Sequence, residues 1–189
     1  MSEAETQPSS QYPTLQDEVR LLQTLLHIAT TTSGILDLEK LLEATVSLIQ
    51  NLLSYFFVNL YLIDETNSLA VMHAGTGEVG LTLLERKHKV EINSSTLIGR
   101  CIRNHATCMM GNADLSLLSF QHPLILDVKS AIALPMTRQD KIIGVLEILD
   151  FGHDAFTPQE AHALRMMADH IAVTIDNARH FCVLQERSS

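Results

Sequence analysis

The chain has 189 residues, of which 46% are hydrophobic, and a formal net charge of −9. An acidic balance without a run of Lys or Arg argues against a nucleic-acid-binding protein, which needs a concentrated basic face. The polar, acidic N-terminus is unlike a signal peptide, and no apolar stretch approaches the roughly 18 residues of a membrane span. Three cysteines do not suggest a disulfide framework. We therefore predict a cytoplasmic protein of one domain that binds neither nucleic acid nor membrane.

The N-terminal part predicts a disordered lead followed by two helices. Residues 1–13 are rich in Ser, Gln, Glu and Pro, and the single domain is placed at residues 14–186. Thr14 can cap the first helix, and Asp37 can cap a second one that ends near Leu53. The first helix carries apolar residues at coiled-coil spacing, which are Leu15, Val19, Leu22, Leu26 and Ala29.

The next part of the chain predicts strands. Residues 55–63 are dense in β-branched and aromatic side chains, and a turn at 64–68 leads to a second strand at 69–73. The loop at 74–80 contains Gly75-Thr-Gly77-Glu-Val-Gly80, which has the spacing of a dinucleotide-binding motif. We expect no helix to open after it and interpret it as a turn. Another strand is predicted at 87–92.

A short helix and a long irregular segment follow. Asn93 or Ser94 is expected to cap a helix at 96–104, and a strand is predicted at 106–111. Residues 112–128 have no regular pattern, and loops of that length inside compact domains are usually functional or mobile.

Residues 131–150 predict an antiparallel hairpin. Two apolar runs rich in Ile, Leu and Val flank a polar turn at 138–141. Gly144, inside the second run, marks a point where another backbone or a ligand comes close.

The last predicted helix has the clearest start signal in the chain. Thr157 is its cap, Pro158 its first residue, and Glu160 completes a capping box, with the helix ending near Glu186. One apolar stripe is expected to pack on the sheet and a second on a partner helix in a homodimer; a monomer with one wide core-facing surface is the alternative. The first stripe comprises Leu164, Met167, Ile171, Thr174, Ala178 and Phe181, and the second comprises Met166, Val173 and Leu184.

Together these segments resemble a GAF domain, the small-molecule-binding module of cyclic-nucleotide phosphodiesterases, phytochromes and bacterial signalling proteins. The resemblance covers about residues 20–183 and depends on the order of several weak patterns, such as Ile143-Gly-Val-Leu-Glu-Ile148. Membership implies an α+β fold in which a central antiparallel sheet is flanked by helices, with long N- and C-terminal helices. It also implies a pocket roofed by residues 95–128. The segments that carry the resemblance are 95–105, 110–114, 129–136, 143–148, 156–160 and 168–178.

Three kinds of GAF domain are disfavoured by individual residues. Bilin-binding members attach the chromophore through a Cys typically followed by His, whereas Cys101 is followed by Ile102. Cyclic-nucleotide-binding members carry an Asn-Lys pair that the segment Phe151-Gly-His153 lacks. Methionine-sulfoxide-reducing members use a distinct cysteine set. The spacing of Cys101 and Cys108 does not match that set, and Cys182 lies on the last helix.

Cys101, His105 and Cys108 form the most conspicuous cluster of reactive residue types. Cys101 and His105 share a face of the predicted short helix, and thiolate and imidazole suit zinc, iron or haem. The C-x3-H-x2-C spacing matches no strong zinc pattern, however, and we favour buried structural cysteines over a metal site. His122 is either an axial ligand or a turn residue before Pro123.

We place the ligand under the roof. Glu147, the one carboxylate in an apolar run, is expected to face a polar interface rather than to act in catalysis. The predicted ligand-binding residues are Cys101, His105, Cys108, Asn112, Asp114, His122 and Ser130.

The sequence thus predicts a stand-alone, non-enzymatic sensory or regulatory module that binds a small molecule and forms a homodimer through its terminal helices. Its output is expected to pass to another signalling protein, such as a histidine kinase, because we find no kinase, cyclase or DNA-binding segment in the sequence. A haem- or iron-based redox or gas sensor is one alternative, and a dimerisation scaffold without a ligand is another. The ligand and any cofactor stay undefined at this stage.

Overall fold

An antiparallel sheet of six strands lies at the centre of this computed structural model, which describes residues 15–111 and 114–187. The strands are β1 (Phe57–Ile63), β2 (Leu69–Gly75), β3 (Lys89–Glu91), β4 (Cys108–Gly111), β5 (Ser130–Arg138) and β6 (Lys141–Asp150). The helices are α1 (Leu15–Thr32), α2 (Leu38–Leu53), α3 (Gly77–Glu85), α4 (Leu97–Asn104) and α5 (Pro158–Arg187), with short 3-10 turns at Leu115–Leu117 and Pro123–Ile125. The strand order is β3-β2-β1-β6-β5-β4. The predicted α+β fold, with a helix-flanked antiparallel sheet and long first and last helices, is confirmed.

Some predictions fall on residues outside the described ranges. The disordered lead at 1–13, the Thr14 cap and the ligand-binding residue Asn112 are among them. In the described part of the chain, no helix is both long enough and apolar enough to cross a bilayer.

The sheet has two covered faces. Alternate side chains of a strand point to opposite sides, so that Leu60 and Leu146 lie in one buried cluster and Tyr61 and Val145 in the other. Helices α1, α2 and α5 cover the first side, which we call the helix face. Helices α3 and α4 and the irregular residues 114–128 cover the second, which we call the roof face. The central strands β1 and β6 are therefore buried on both sides.

The β5–β6 hairpin closes with a two-residue turn at the predicted place. Gln139 and Asp140 have positive φ angles, 48° and 60°, which is the conformation that the commonest two-residue hairpin loops require. Gly144 lies where β6 passes β1, and a Cβ there would be 2.3 Å from the Tyr61 carbonyl oxygen. The expected close approach of another backbone at Gly144 is confirmed.

Local hydrogen bonds fix the starts of α2 and α5 as predicted. The Asp37 carboxylate caps α2 by accepting from the Lys40 N–H at 3.1 Å. At the start of α5, the Glu160 N–H donates to the Thr157 hydroxyl oxygen at 3.2 Å. The Thr157 N–H donates in return to the Glu160 carboxylate at 2.9 Å, so that the capping box is complete.

The start of α4 differs from the prediction. Thr96, rather than Asn93 or Ser94, is the capping residue, because its hydroxyl oxygen accepts from the Gly99 N–H at 3.1 Å. The Asn93 side chain accepts instead from the Ser95 N–H at 2.9 Å, which closes the turn before the helix.

The two apolar stripes of α5 have different environments. The residues of the first stripe are buried on the helix face up to Ala178, whereas Phe181, beyond it, is 37% exposed. The residues of the second stripe, Met166, Val173 and Leu184, are all exposed. The wide core-facing surface of the monomer alternative is therefore not formed, and the second stripe stays free of the core.

A helix forms where the sequence predicted a turn. Helix α3 begins at Gly77, so the interpretation of 74–80 as a loop was wrong. Glycine has a low helix propensity and its three copies obscured the helix. Packing requires Gly75 and Gly80 nonetheless, since a Cβ on Gly80 would lie 2.4 Å from the Gly75 carbonyl carbon, whereas Gly77 has a positive φ angle of 67°. Helix α3 therefore rests directly on the end of β2.

The substitution Gly80→Ala is expected to lower the free energy of unfolding by about 1–3 kcal/mol, because the new methyl group must push α3 away from β2. Gly34→Ala is the matched control, since nothing lies within 4 Å of a Cβ there. Urea unfolding followed by circular dichroism measures both values. Equal stability of the two variants would contradict the close approach.

Candidate ligand-binding site

A row of small and polar residues crosses the roof face of the sheet. Asn59 of β1 is paired with Gly75 of β2 on one side and with Glu147 of β6 on the other. Glu147 is paired in turn with Ala133 of β5, and Ala133 with Cys108 of β4. The position of Gly75 is filled by its neighbours, since a Cβ there would lie 2.9 Å from Asn59 Oδ1 and 3.0 Å from the Gly80 Cα of α3.

Asn59 and Glu147, which we call the polar pair, are joined by a buried hydrogen bond. Asn59 Nδ2 donates to Glu147 Oε2 at 3.1 Å, and both side chains are fully buried. Tyr61, also fully buried, follows two residues later on the same face. Within the described residues, Asn59 Oδ1 and Glu147 Oε1 have no hydrogen-bond partner, and the Tyr61 hydroxyl makes no bond of good geometry, although the Ser119 side chain interacts with it. An unsatisfied buried group costs about 1–3 kcal/mol, so such atoms are rare and call for an explanation.

Burial changes the ionisation of this site. It raises the pKa of Glu147 to about 7, while the hydrogen bond from Asn59 acts in the opposite direction. Burial, followed by the charge of Glu147, raises the pKa of Tyr61 well above its usual range. No ion pair formed by the described residues supplies Glu147 with a positive charge. The site therefore contains a carboxyl group whose pKa lies near neutral pH.

The irregular residues 114–128 form a roof beside this site. His88 Nε2 and the hydroxyl oxygen of Ser119 are 3.2 Å apart, which joins the roof to the segment between α3 and β3. The His88 ring stands edge-on to Tyr61 and to Phe120, with ring centroids 6.1 and 5.9 Å away, and burial lowers its pKa. The roof is thus anchored next to Tyr61. Its buried apolar side chains are Leu118, Phe120, Ile125 and Val128.

Two of the predicted ligand-binding residues, Cys101 and Cys108, lie on the roof face. Cys101 of α4 is fully buried, and Cys108 is half-buried at the end of the row that contains the polar pair. Burial raises the pKa of both thiols. His105 ends α4 in a left-handed conformation, with φ 51°, and its exposed side chain lines a separate groove of about 200 Å³ beside Ile102.

The other predicted ligand-binding residues within the described ranges take part in local turns. The Asp114 carboxylate and His122 Nδ1 each accept from a backbone N–H two residues further on, at 3.2 and 3.1 Å. The geometry of His122 thus agrees with the turn-residue alternative. The Ser130 hydroxyl donates to the Gly152 carbonyl oxygen at 2.7 Å.

The structure separates the side chains of Cys101 and His105. In residues 15–111 and 114–187, no group of three or more His, Cys, Asp or Glu side chains is placed to hold a metal ion. Cys101 is buried in the core, whereas His105 follows the last residue of α4 in a left-handed conformation and its side chain is exposed, so the predicted common face is not formed.

Asn59 and Tyr61 were not predicted as site residues, and the prediction for Glu147 was wrong. Glu147 does not face a polar interface, because it is fully buried against Asn59. A signal was present, since Asn59 and Glu147 each interrupt an otherwise apolar strand. Only the register between β1 and β6 reveals that the two interruptions meet.

The family of the chain follows from its sequence as well as its fold. The family profile described as GAF domain matches residues 35–176. The chain belongs to the GAF domain family. This is a family of sensory and regulatory modules. No curated protein matches the sequence.

Solved structures with the same fold come from proteins of different activity. The free methionine-R-sulfoxide reductase of Neisseria meningitidis, in complex with its substrate, has a TM-score of 0.72 at 17% identity over 91% of this chain and 98% of that one. The GAF domain of a phosphoenolpyruvate-protein phosphotransferase from Coxiella burnetii has a TM-score of 0.72 at 20% identity. The match covers 88% of this chain and 99% of that one. Residues 122 to 287 of a methyl-accepting chemotaxis protein have a TM-score of 0.66 at 16% identity. The match covers 82% of this chain and 98% of that one.

These neighbours correct one prediction from the sequence. We expected a protein that is not an enzyme, and the likeness to methionine-R-sulfoxide reductases contradicts that expectation. The reductases have the same fold and are enzymes, so the order of elements that indicated a binding module gives no ground for excluding catalysis. At identities below 20%, the likeness itself concerns the fold alone.

The pH dependence of stability tests the burial of Glu147. Its pKa rises from 4.5 to about 7 on folding, so its stabilising contribution is fully present below about pH 4.5 and is lost as the pH rises through 7. Glu147→Gln removes this loss. At about pH 8 the variant is expected to be more stable than the wild type by up to about 3 kcal/mol, at roughly 1.4 kcal/mol per pKa unit.

The measurement is the free energy of unfolding by urea from about pH 5 to 8. Glu43→Gln on α2 is the matched control, because Glu43 is exposed and its loss is expected to leave the pH dependence unchanged. If the free energies of unfolding of the wild type and of Glu147→Gln change with pH in the same way over this range, the raised pKa of buried Glu147 is contradicted.

Proposed function

We propose that this GAF domain is a cytoplasmic sensory or regulatory module that binds a small molecule on the roof face, in contact with Asn59, Tyr61 and Glu147. The observation that carries the proposal is the set of unpartnered polar atoms on these three fully buried side chains. A ligand that completes their hydrogen bonds recovers the free energy that folding leaves unsatisfied. Binding sites typically combine an apolar lining with a few such polar groups.

Contacts between the hairpin and α5 give a route from the ligand to the terminal helices. The Thr137 N–H donates to the Asp169 carboxylate at 3.2 Å, and Arg165 Nη2 donates to the Thr137 hydroxyl oxygen at 2.8 Å. At the tip of the hairpin, Arg138 Nε donates to Asp176 Oδ2 at 3.1 Å. These bonds come from the last two residues of β5, and β6, which carries one half of the polar pair, begins at the turn that follows them and pairs with β5 along its length. A ligand that binds one position of β6 more tightly than another shifts α5 with it.

The exposed apolar side chains of α1 and α5 support homodimerisation. Leu22 and Leu26 of the predicted coiled-coil seam are 54% and 65% exposed, and Met166 of α5 is 59% exposed. A groove of about 410 Å³ between the two helices is lined by Leu22, Ala163 and Met166, among others. Contiguous apolar surface of this kind marks protein–protein contacts. In this proposal a second copy packs here, and the dimer passes its state to a signalling protein such as a histidine kinase.

The double substitution Leu22→Glu with Leu26→Glu is expected to convert a dimer into a folded monomer, because it places charges in the interface without touching the core. Light scattering coupled to size-exclusion chromatography measures the mass. Leu81→Glu on α3 is the matched control, since Leu81 is 61% exposed but lies on a helix of the roof face. A wild-type protein that is monomeric at high concentration would contradict the dimer proposal.

Tyr61→Phe tests the ligand site with little disturbance of the fold. The variant removes a hydroxyl that makes no hydrogen bond of good geometry within the described residues and loses only the interaction with Ser119, so it is expected to fold with about the stability of the wild type. It is expected to weaken ligand binding about tenfold, which corresponds to the loss of one hydrogen bond. A thermal-shift screen of a metabolite library, followed by calorimetry of each hit on both proteins, provides the measurement.

Tyr55→Phe is the control for that experiment. Tyr55 is also a largely buried tyrosine, but it packs in the cluster of the helix face. Its loss is expected to leave ligand affinity unchanged. Hits whose affinity is the same for Tyr61→Phe and for the wild type would place the ligand elsewhere.

One of the alternatives keeps a specific observation in its favour. The buried roof side chains Leu118, Phe120, Ile125 and Val128 are what a dimerisation scaffold with a filled pocket requires. A dimer that gives no thermal-shift hit with the library supports the scaffold. The haem or iron sensor is tested by an absorbance spectrum and a metal analysis of freshly purified protein. Colourless, metal-free protein that cannot be reconstituted would contradict it.

A further inference from the structure

The atoms without partners also define the chemistry of the ligand. Asn59 Nδ2 already donates to Glu147, so the free atom of its amide is the acceptor Oδ1. The free atom of Glu147 is a carboxylate oxygen, and the Tyr61 hydroxyl oxygen can also accept. The site thus presents several acceptors on one face, and its complement is a group with several N–H donors.

The charge of the site points the same way. An ionised carboxylate in an apolar interior is costly unless a positive charge pairs with it. Among the described residues, Glu147 has no ion pair, and the groups that hydrogen-bond or flank it are an amide and a phenol. An anionic ligand meets repulsion here, whereas a cationic one supplies the missing charge.

We propose that the roof-face site takes a small organic cation, whose primary ammonium group binds between Glu147 Oε1 and Asn59 Oδ1 with Tyr61 beside it. The three N–H donors of an alkylammonium match this set of acceptors. The rest of the ligand is apolar, because the surrounding roof side chains, such as Leu118 and Phe120, are apolar. This inference rests on the proposed function and adds the class of ligand to it.

Proton release follows from the same geometry. Burial raises the pKa of Glu147 to about 7, and a bound cation favours the carboxylate, so affinity rises with pH through about 7. Besides Glu147, the buried or half-buried titratable groups of this face are Tyr61, His88, Cys101 and Cys108, together with His122, whose Nδ1 accepts a hydrogen bond within a turn. Burial raises the pKa of the phenol and of both thiols and lowers that of His88, so all four stay largely uncharged above neutral pH. Glu147 therefore dominates the pH dependence.

Calorimetry of the full chain with benzylammonium chloride tests the ligand class. Benzyl alcohol and sodium benzoate are the matched neutral and anionic probes. We expect benzylammonium to bind more tightly than either of them, and about tenfold more tightly near pH 8 than near pH 6, because the ionised fraction of a group with a pKa of 7 changes by that factor. Equal or tighter binding of benzoate overturns the proposal, as does failure of benzyl-, butyl- and phenethylammonium to bind at millimolar concentration.

Variants separate this proposal from the function on which it rests. Glu147→Gln, which keeps the side-chain shape, is expected to weaken benzylammonium binding at least tenfold and to abolish its pH dependence, whereas the exposed Glu43→Gln leaves both unchanged. Unchanged benzylammonium affinity in Glu147→Gln overturns the cation assignment. If benzyl alcohol or benzoate binds instead and Tyr61→Phe weakens it, the roof-face site stands and only the ligand class is wrong. If no probe or library compound responds to Tyr61→Phe, both proposals fail.

Discussion

The buried hydrogen bond between Asn59 and Glu147 is the interaction on which the character of the roof face depends. On the helix face, the corresponding positions of the same strands carry leucines, Leu60 and Leu146, and the layer is continuously apolar. On the roof face, an amide and a carboxyl group occupy the centre of a sheet that is covered on both sides. Two apolar residues would stabilise this position more, since buried ionisable groups are costly. Perturbed, buried carboxyl groups concentrate at functional sites, and this one stands under a roof.

The sheet divides the domain into two layers of different construction. The roof-face layer consists of the short elements α3 and α4 and of residues 114–128. It covers the buried polar atoms of the polar pair that lack hydrogen-bond partners among the described residues. The helix-face layer contains the long helices α1 and α5. Each has an inner apolar stripe that is buried and an outer apolar stripe that is exposed. Strand β6 belongs to both layers, because Glu147 faces one and Leu146 the other. A protein that couples a small ligand to an association of helices needs such a shared element.

Sequence rules predicted what local interactions decide. The caps at Asp37 and Thr157 and the β5–β6 hairpin depend on residues a few positions apart, and they were predicted correctly. Helix α3 was missed because tertiary packing against β2, rather than helix propensity, determines its glycines. The polar pair was missed because its partners are 88 positions apart and meet only in one register. Candidate residues chosen by chemical type in the roof, such as Asp114 and His122, proved to stabilise turns.

The outer strands limit how copies of this domain can associate. Strand β3 has three residues and β4 has four, and they are the first and last strands of the sheet. An unpaired strand edge invites a neighbouring molecule to extend the sheet, and natural proteins suppress this with short edges and charged side chains. Strand β3 shows both devices, with exposed Lys89 and Glu91 on either side of one buried valine. Edge-to-edge growth is thereby discouraged at β3.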